Sequence, residues 1–336
     1  MTAPARPQDD DPAVVRPPRP GWRGALIMGA AWVVARLPEA PLVAAAESAG
    51  ELWYRAAPAK RAQARANLRR VCEGLAATGR GSPRSRRAAT DPDVLERIVR
   101  ASFRHAARYY LEAMLTGAMT TETALARLEI ETPDEFAAAL GSGEPAIIVG
   151  MHFGAIELPV IVVSHAVGHA VTAPMEEVSD PGLAHWFAVS RSRVGVRVVS
   201  LANARGALLR ALRRGESVGL VADRDITGSG IMVPFFGHPT PIPVGPALLA
   251  LETGVPVYVA SARRTRGGRY AGKLIHVAPP EGSSRRERVT AFTAAIAAAF
   301  ETTLADAPEQ WWGAFHAFWP DIALEAPATP RDAATP

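Results

Sequence analysis

The 336-residue chain has one cysteine, Cys72, so no intramolecular disulfide can form, no zinc site built from several cysteines is possible, and a reducing compartment is expected. Cys72 follows Arg69, Arg70 and Val71 in a predicted helix and has no partner for Cys-His chemistry, which makes it structural. Lysine is almost missing: Lys60 and Lys273 are the only two among 37 basic residues. Long apolar runs are missing as well. Residues 24–35 are apolar for 12 positions between Arg23 and Arg36, short of the roughly 20 that a spanning helix needs, so none is expected. Residues 1–20 are rich in Pro, Asp and Arg, carry the acidic run Asp9, Asp10, Asp11 and lack a signal-peptide pattern; they read as a disordered tail, as do residues 326–336. Residues 150–154 lack the glycine spacing of a dinucleotide loop and there is no P-loop, so no nucleotide or redox cofactor is expected. The basic stretches hold few interleaved aromatics and no zinc-finger, helix-turn-helix or RNA-binding signature, which argues against a nucleic-acid partner.

What is present is enough for a large core, since 48% of the residues are hydrophobic. Residues 21–123 read as helical, with an Arg-rich insertion at 78–92, and residues 124–325 as the remainder of one domain in which strands alternate with helices. Strands are predicted at 146–149, 170–173, 196–200, 217–222, 231–235, 255–263 and 274–277. Helices are predicted near 155–166, 181–194, 204–213, 244–253 and 285–304. The alternation implies an α/β fold: a mixed, largely parallel central sheet flanked by helices, preceded by an N-terminal helical region.

Two charged clusters stand at predicted strand ends. The apolar run at 146–149 delivers His152 and, five residues later, Glu157 in the first turns of the next helix. Open α/β sheets place their chemistry at this end of the strand. Glu157 turned back on the imidazole would fix its tautomer and leave the other ring nitrogen to take a proton; the pair equally suits a core histidine beside a helix-start glutamate. The second cluster is Asp223, Arg224 and Asp225, closing the strand 217–222. Phe235 and Phe236 follow on the next strand and suggest apolar surface for a fatty chain, with ordinary core as the competing reading. His165 and His169 share a helical face at i and i+4 but lack the adjacent glutamate of zinc proteases and a third ligand, so no metal is expected there.

His152-x4-Glu157, the Asp223-Arg224-Asp225 strand end and the late segment from Pro308 to Trp311 resemble the lipid A biosynthesis acyltransferase family, most closely its actinobacterial phosphatidylinositol mannoside acyltransferases, from about residue 21 to about 319. The resemblance implies an acyltransferase in which His152 deprotonates an acceptor hydroxyl that attacks the thioester of acyl-CoA or acyl carrier protein, with Glu157 supporting the histidine. It further maps Glu176, Arg191 and Asp223 onto supporting or substrate-binding positions, with Arg224 and Asp225 beside the last. It implies a glycolipid acceptor, most specifically a mannose of a phosphatidylinositol mannoside, with lipid A precursor or a lysophospholipid as alternatives and a silent lipid-binding protein as the non-enzymatic one. No cofactor and no magnesium requirement go with such chemistry.

Charge and aromatics in the N-terminal region fit this expectation. Arg55, Lys60, Arg61, Arg65, Arg69 and Arg70 fall at helical spacing and suit anionic lipid heads, CoA phosphates or an acidic carrier protein. Trp22, Trp32, Trp53 and Tyr54 allow helices that lie in a membrane interface, although the same helices would serve to cover the sheet. The expected location is peripheral or monotopic, on the cytoplasmic face of the plasma membrane.

Overall fold

The structure, a computed structural model, describes Val14, Val15 and residues 21–324 apart from Ser142, Glu177 and Ser283. The tails expected at 1–20 and 326–336 lie outside the described residues, save that Val14 and Val15 bridge onto the main-chain groups of Val199 and Val198.

Five helices come first: α1 (Trp22–Val34), α2 (Glu39–Ala56), α3 (Pro58–Thr78), α4 (Pro83–Arg87) and α5 (Pro92–Leu115). Their limits are written in the sequence. Proline opens α3, α4 and α5 at the first turn, where its missing N–H costs nothing. Asp91 caps α5 by accepting from the amides of Asp93 and Val94, and left-handed Gly79 (φ 68°) stops α3. Residues Leu95, Ile98, Val99, Phe103 and Ala106 form one apolar stripe of α5, buried against α2 and α3. At Gly50 the α2 and α5 backbones approach so closely that a Cβ would sit 2.6 Å from the Phe103 carbonyl.

The remaining elements are α6 (Thr121–Arg127), β1 (Leu128–Ile130), α7 (Pro133–Gly141), β2 (Ile147–Gly150), α8 (Glu157–Val167), β3 (Val171–Met175), α9 (Pro181–Arg193), β4 (Val196–Ser200), α10 (Ala204–Arg213), β5 (Val218–Val221), β6 (Ile231–Phe235), β7 (His238–Ile242), α11 (Gly245–Thr253), β8 (Val257–Arg264), β9 (Tyr270–Val277) and α12 (Arg285–Asp306). Seven strands make one sheet in the order β1-β9-β8-β2-β5-β3-β4. All neighbours are parallel except β8 and β9, so the expected mixed, largely parallel α/β sheet is what forms. Alternation along the strands divides the core in two. Ile147, Val149, Val257 and Val259 pack with α10, α11 and α12, whereas Ile148, Tyr258 and Ala260 face α7 and α8.

The differences from the predicted elements have local causes. Residues 78–92 are not a plain insertion, because Ser82 accepts from the Ser85 amide and starts the short α4. The three-residue β1, α7 and β7 were too short or too polar to register, and β9 starts at Tyr270 rather than 274. The predicted strand 231–235 exists but leaves the sheet: β6 pairs only with β7, through a two-residue turn in which Phe236 (φ 47°) and Gly237 (φ 79°) both take the left-handed conformation.

Candidate active site

Strands β2 and β5 are neighbours in register, Gly150 opposite Val221, so the residues just past their carboxyl ends meet although they are 71 positions apart. There Nδ1 of His152 lies 2.6 Å from Oδ1 of Asp223. The other oxygen, Oδ2, accepts from the His152 amide at 3.1 Å and from Nε1–H of Trp311 at 3.1 Å. Asp223 is fully buried. Burial pushes its carboxyl up, but the His152 imidazole, the hydrogen bonds from His152 and the Trp311 indole outweigh that and hold it below its ordinary value. An ionised carboxylate only accepts, so Nδ1 carries the proton and Nε2 of the neutral ring is left with a lone pair.

The turn that carries His152 is clamped from three sides. The amides of Trp312 and Gly313 donate to the His152 carbonyl at 2.9 and 3.3 Å, the Gly154 amide donates to the Gln310 carbonyl at 3.1 Å, and the Ala155 amide to the Ala262 carbonyl at 2.9 Å. Gly154 is left-handed (φ 55°), and a Cβ there would lie 2.1 Å from the Ala262 carbonyl, so only glycine fits. The Trp312 ring meets the imidazole edge-on at 4.5 Å and stacks on Tyr109 at 4.2 Å.

Glu157 is not the partner of His152. It opens α8 as expected, but its carboxylate receives Nη2–H of Arg191 at 2.7 Å and Nε–H at 3.3 Å, forming a partly buried ion pair between the start of α8 and the last turn of α9. Each charge also complements its own helix end. The two clusters therefore exchange roles relative to the sequence reading: the acid that holds the imidazole comes from the second strand end, and the acid nearest in sequence holds an arginine. Glu176 is exposed just after β3, at the rim of the same cleft. Arg224 lines the cleft beside His152. Asp225 turns away and accepts from the Ser229 and Gly230 amides at 3.1 and 2.8 Å, closing its own loop.

The cleft is about 370 Å³, within the roughly 300–1,000 Å³ common for small-molecule sites. Its floor is one face of the sheet, where Ile148, Gly219, Ala173, Val198 and Ala260 lie side by side on adjacent strands, and Val160 of α8 forms part of the wall. Small residues on that face leave room for an apolar ligand. Phe235 and Phe236 do not contribute to it. Because β6 leaves the sheet, Phe235 is buried against Trp311, Phe318 and Trp319, and Phe236 packs over Gly74 of α3. Phe235→Ala is therefore expected to lower stability by about 3–5 kcal/mol with little change in substrate KM; a large KM rise in a variant of native stability in urea denaturation would return Phe235 to the cleft.

Other side chains of the site carried little sequence signal. Trp311 and Trp312 belong to an aromatic cluster that reads equally as core, and Tyr109 and His316 have no motif around them. Beneath the turn, Arg264 is held by Glu112 through Nε (2.8 Å) and Nη2 (2.7 Å) and donates to the Gly154 carbonyl at 3.0 Å. Gln310 joins the main chain of Arg264 from both sides, accepting at 2.8 Å and donating at 2.9 Å. Cys72 is far into the core, and burial pushes its thiol up to about 12, so it is no nucleophile at neutral pH. No cluster of three or more metal-ligand side chains occurs among the described residues.

The family described as bacterial lipid A biosynthesis acyltransferase matches residues 18–319. A phosphatidylinositol mannoside acyltransferase of Mycolicibacterium smegmatis is 30% identical over 223 residues, 65% of this chain and 71% of the relative. A protein of the same name from Mycobacterium tuberculosis (strain CDC 1551 / Oshkosh) is 30% identical over 217 residues, 63% of this chain and 67% of the relative. A histidine that lines an apolar cleft and is held by a buried acid, on a chain matched over most of its length, makes this protein an acyl-transferring enzyme that belongs to the bacterial lipid A biosynthesis acyltransferase family.

Proposed function

We propose that this protein transfers a fatty acyl group from a thioester, acyl-CoA or acyl carrier protein, to a hydroxyl of a glycolipid, a mannose of a phosphatidylinositol mannoside, at the cytoplasmic face of the membrane. The observation that carries the reading is the 2.6 Å contact between His152 and the buried Asp223 beside an apolar cleft. Nε2 takes the proton of the acceptor hydroxyl, the oxygen attacks the thioester carbonyl, and the C–S bond of the tetrahedral intermediate breaks as the imidazolium returns the proton to the leaving thiolate. Asp223 keeps the ring in the productive tautomer and stabilises the imidazolium without itself moving a proton. Arg191, neutralised through Nε and Nη2 by Glu157, still has Nη1–H donors for the developing oxyanion. The acyl chain lies along the floor of Ile148, Gly219, Ala173 and Ala260, and each methylene removed from water there contributes roughly 0.8 kcal/mol. The mannoside acceptor is taken from what the relatives are named for.

Membrane contact rests on α1. No helix among the described residues is long and apolar enough to cross a bilayer. Trp22, Leu26, Trp32 and Val33 of α1 are exposed, with Leu37 beyond its end and Arg36 stacked 3.5 Å over Trp32. Such a surface suits the lipid interface. Helix α1 abuts α9, which carries Arg191, so closely that a Cβ on Gly182 would lie 2.7 Å from the Gly24 amide, and docking through α1 would bring lipid next to the cleft.

The test is thioester turnover with palmitoyl-CoA, followed as free CoA and product mass, with and without phosphatidylinositol mannoside, in wild type and His152→Ala. Acceptor-stimulated CoA release with an added acyl mass is expected, reduced by roughly two to four powers of ten in the variant. Binding of acyl-CoA without turnover in the wild type would favour a silent lipid-binding protein, and turnover only with a lysophospholipid or lipid A precursor would replace the acceptor.

A further inference from the structure

We propose that the Tyr109 hydroxyl donates a hydrogen bond to the thioester carbonyl of the acyl donor, and a stronger one to the oxyanion that this carbonyl becomes, an inference that rests on the acyl-transfer reading. Tyr109 belongs to the buried stripe of α5 that also holds Phe103 and Ala106, and it is 8% exposed. Two sets of contacts fix it relative to His152. Its ring stacks on Trp312 at 4.2 Å, and Trp312 meets the imidazole edge-on at 4.5 Å while its amide donates to the His152 carbonyl at 2.9 Å. One turn further along α5, Glu112 holds Arg264, which donates to the Gly154 carbonyl in the turn that carries His152. The tyrosine is thus tied to the histidine both through its ring and through its helix.

What this placement leaves unspent is the phenol O–H. Buried tyrosines as a rule give their hydroxyl a partner. That of Tyr109 makes no hydrogen bond among the described residues, although its oxygen is not sealed from solvent. Two spaces adjoin the side chain. A cavity of about 20 Å³ toward Glu112 and Ile161 has room for one water, whereas the cleft has room for a ligand. Burial first, and then Glu157, push the phenol above its ordinary value, with Arg191 and Arg264 pulling the other way, so at neutral pH it keeps its proton and can donate. The same pair that acts on the hydroxyl, Glu157 and Arg191, lines the cleft, and Arg191 keeps Nη1–H free of Glu157. Two donors held by packing before the substrate arrives, one cationic and one neutral, suit an oxyanion. A hydrogen bond roughly doubles in strength when the oxygen it meets gains charge, so this contact acts on the barrier more than on binding. The proton stays on Tyr109, and His152 alone transfers one.

Tyr109→Phe removes the hydroxyl and keeps the ring on Trp312, so the midpoint of urea denaturation is expected to stay that of wild type. Its kcat with palmitoyl-CoA and phosphatidylinositol mannoside is expected to fall about ten- to a hundredfold, with both KM values within about threefold of wild type. A second readout needs no turnover. The palmitoylmethyl thioether of CoA, with a ketone in place of the thioester carbonyl, and the heptadecyl thioether, which has no oxygen there, are compared by calorimetry in both proteins. Loss of one neutral hydrogen bond should raise the Kd of the ketone about three- to tenfold in Tyr109→Phe and leave that of the oxygen-free ligand unchanged. Turnover within about threefold of wild type, with both thioethers bound as before, would mean that the hydroxyl meets only water; it would overturn the contact and leave the acyl-transfer reading standing. Equal weakening of the two thioethers would overturn the contact as well, because a displaced ring and not a lost hydrogen bond would then be at work. Lost turnover with both thioethers bound as in wild type would move the hydroxyl to the acceptor and overturn its contact with the carbonyl. A wild type that prefers the ketone, loses that preference in Tyr109→Phe and yet transfers no acyl group would keep the contact and overturn the reading.

Discussion

Asp223→Asn is expected to lower turnover by roughly two to four powers of ten, about as much as removal of the histidine itself. The carboxylate accepts three hydrogen bonds: Oδ1 from Nδ1 of His152, Oδ2 from the His152 amide and the Trp311 indole. An asparagine has one oxygen. With that oxygen placed to satisfy the two donors on the Oδ2 side, its NH₂ faces Nδ1, which must then accept; the ring switches tautomer, Nε2 becomes protonated, and it can no longer take a proton from a hydroxyl. With the amide flipped, the NH₂ is driven against two donors in a fully buried place. Neither arrangement restores the base. The pH dependence separates this from simple destabilisation. The native carboxyl is held below the ordinary value of 3.8, so its stabilising contribution is complete above that value and is lost as pH falls through the lower native one. The part of the wild-type advantage in unfolding free energy over Asp223→Asn that comes from this ionisation should therefore be lost in acid below the ordinary carboxyl value, while the turnover defect is already full at neutral pH. A variant with turnover within tenfold of wild type would remove Asp223 from the mechanism.

The exchange of partners between Glu157 and Asp223 shows where the sequence was and was not legible. Strand periodicity and the turn residues around 141–145 located β2, and the strand-to-helix junction located both His152 and the start of α8. Asp223 stood out as charge at the end of an apolar strand, but its role, like the choice of Arg191, was reached through resemblance. What links His152 to Asp223 is the adjacency of β2 and β5, a contact across 71 residues that depends on the order of the sheet, and no local spacing encodes that order. A five-residue spacing, by contrast, suggested a local contact that the helix geometry does not make, because α9 offers Glu157 a closer cation. Phe235 failed for a related reason: a strand-like segment looks the same whether it joins the sheet or leaves it as a hairpin. His316 and Arg264 carry no local pattern at all, and their roles come only from what the fold brings beside them.

Glu112→Gln is expected to cost about 3–5 kcal/mol of stability, the penalty for leaving a buried cation without its partner. Arg264 has a side chain 1% exposed, and two of its donors close on the Glu112 carboxylate at 2.8 and 2.7 Å. Arg108 donates to the same carboxylate at 3.2 Å, as does the Tyr270 hydroxyl at 3.2 Å. Glutamine would leave two guanidinium groups together with no negative charge between them, and Nη1 of Arg264 already lacks a hydrogen-bond partner. The consequence extends to the site, because Arg264 also donates to the Gly154 carbonyl and, through Gln310, ties the turn of His152 to the C-terminal segment. The double variant Glu112→Leu with Arg264→Met distinguishes the two effects. Replacing both charges with apolar side chains of similar volume should restore most of the stability in urea denaturation, since burying the pair was never a large net gain. Turnover should stay reduced, because the Gly154 carbonyl loses its donor and the turn beneath His152 loses its support. Recovery of both stability and turnover would mean that the ion pair is replaceable core, and a single variant within about 1 kcal/mol of wild type would mean that water reaches Arg264 despite its burial.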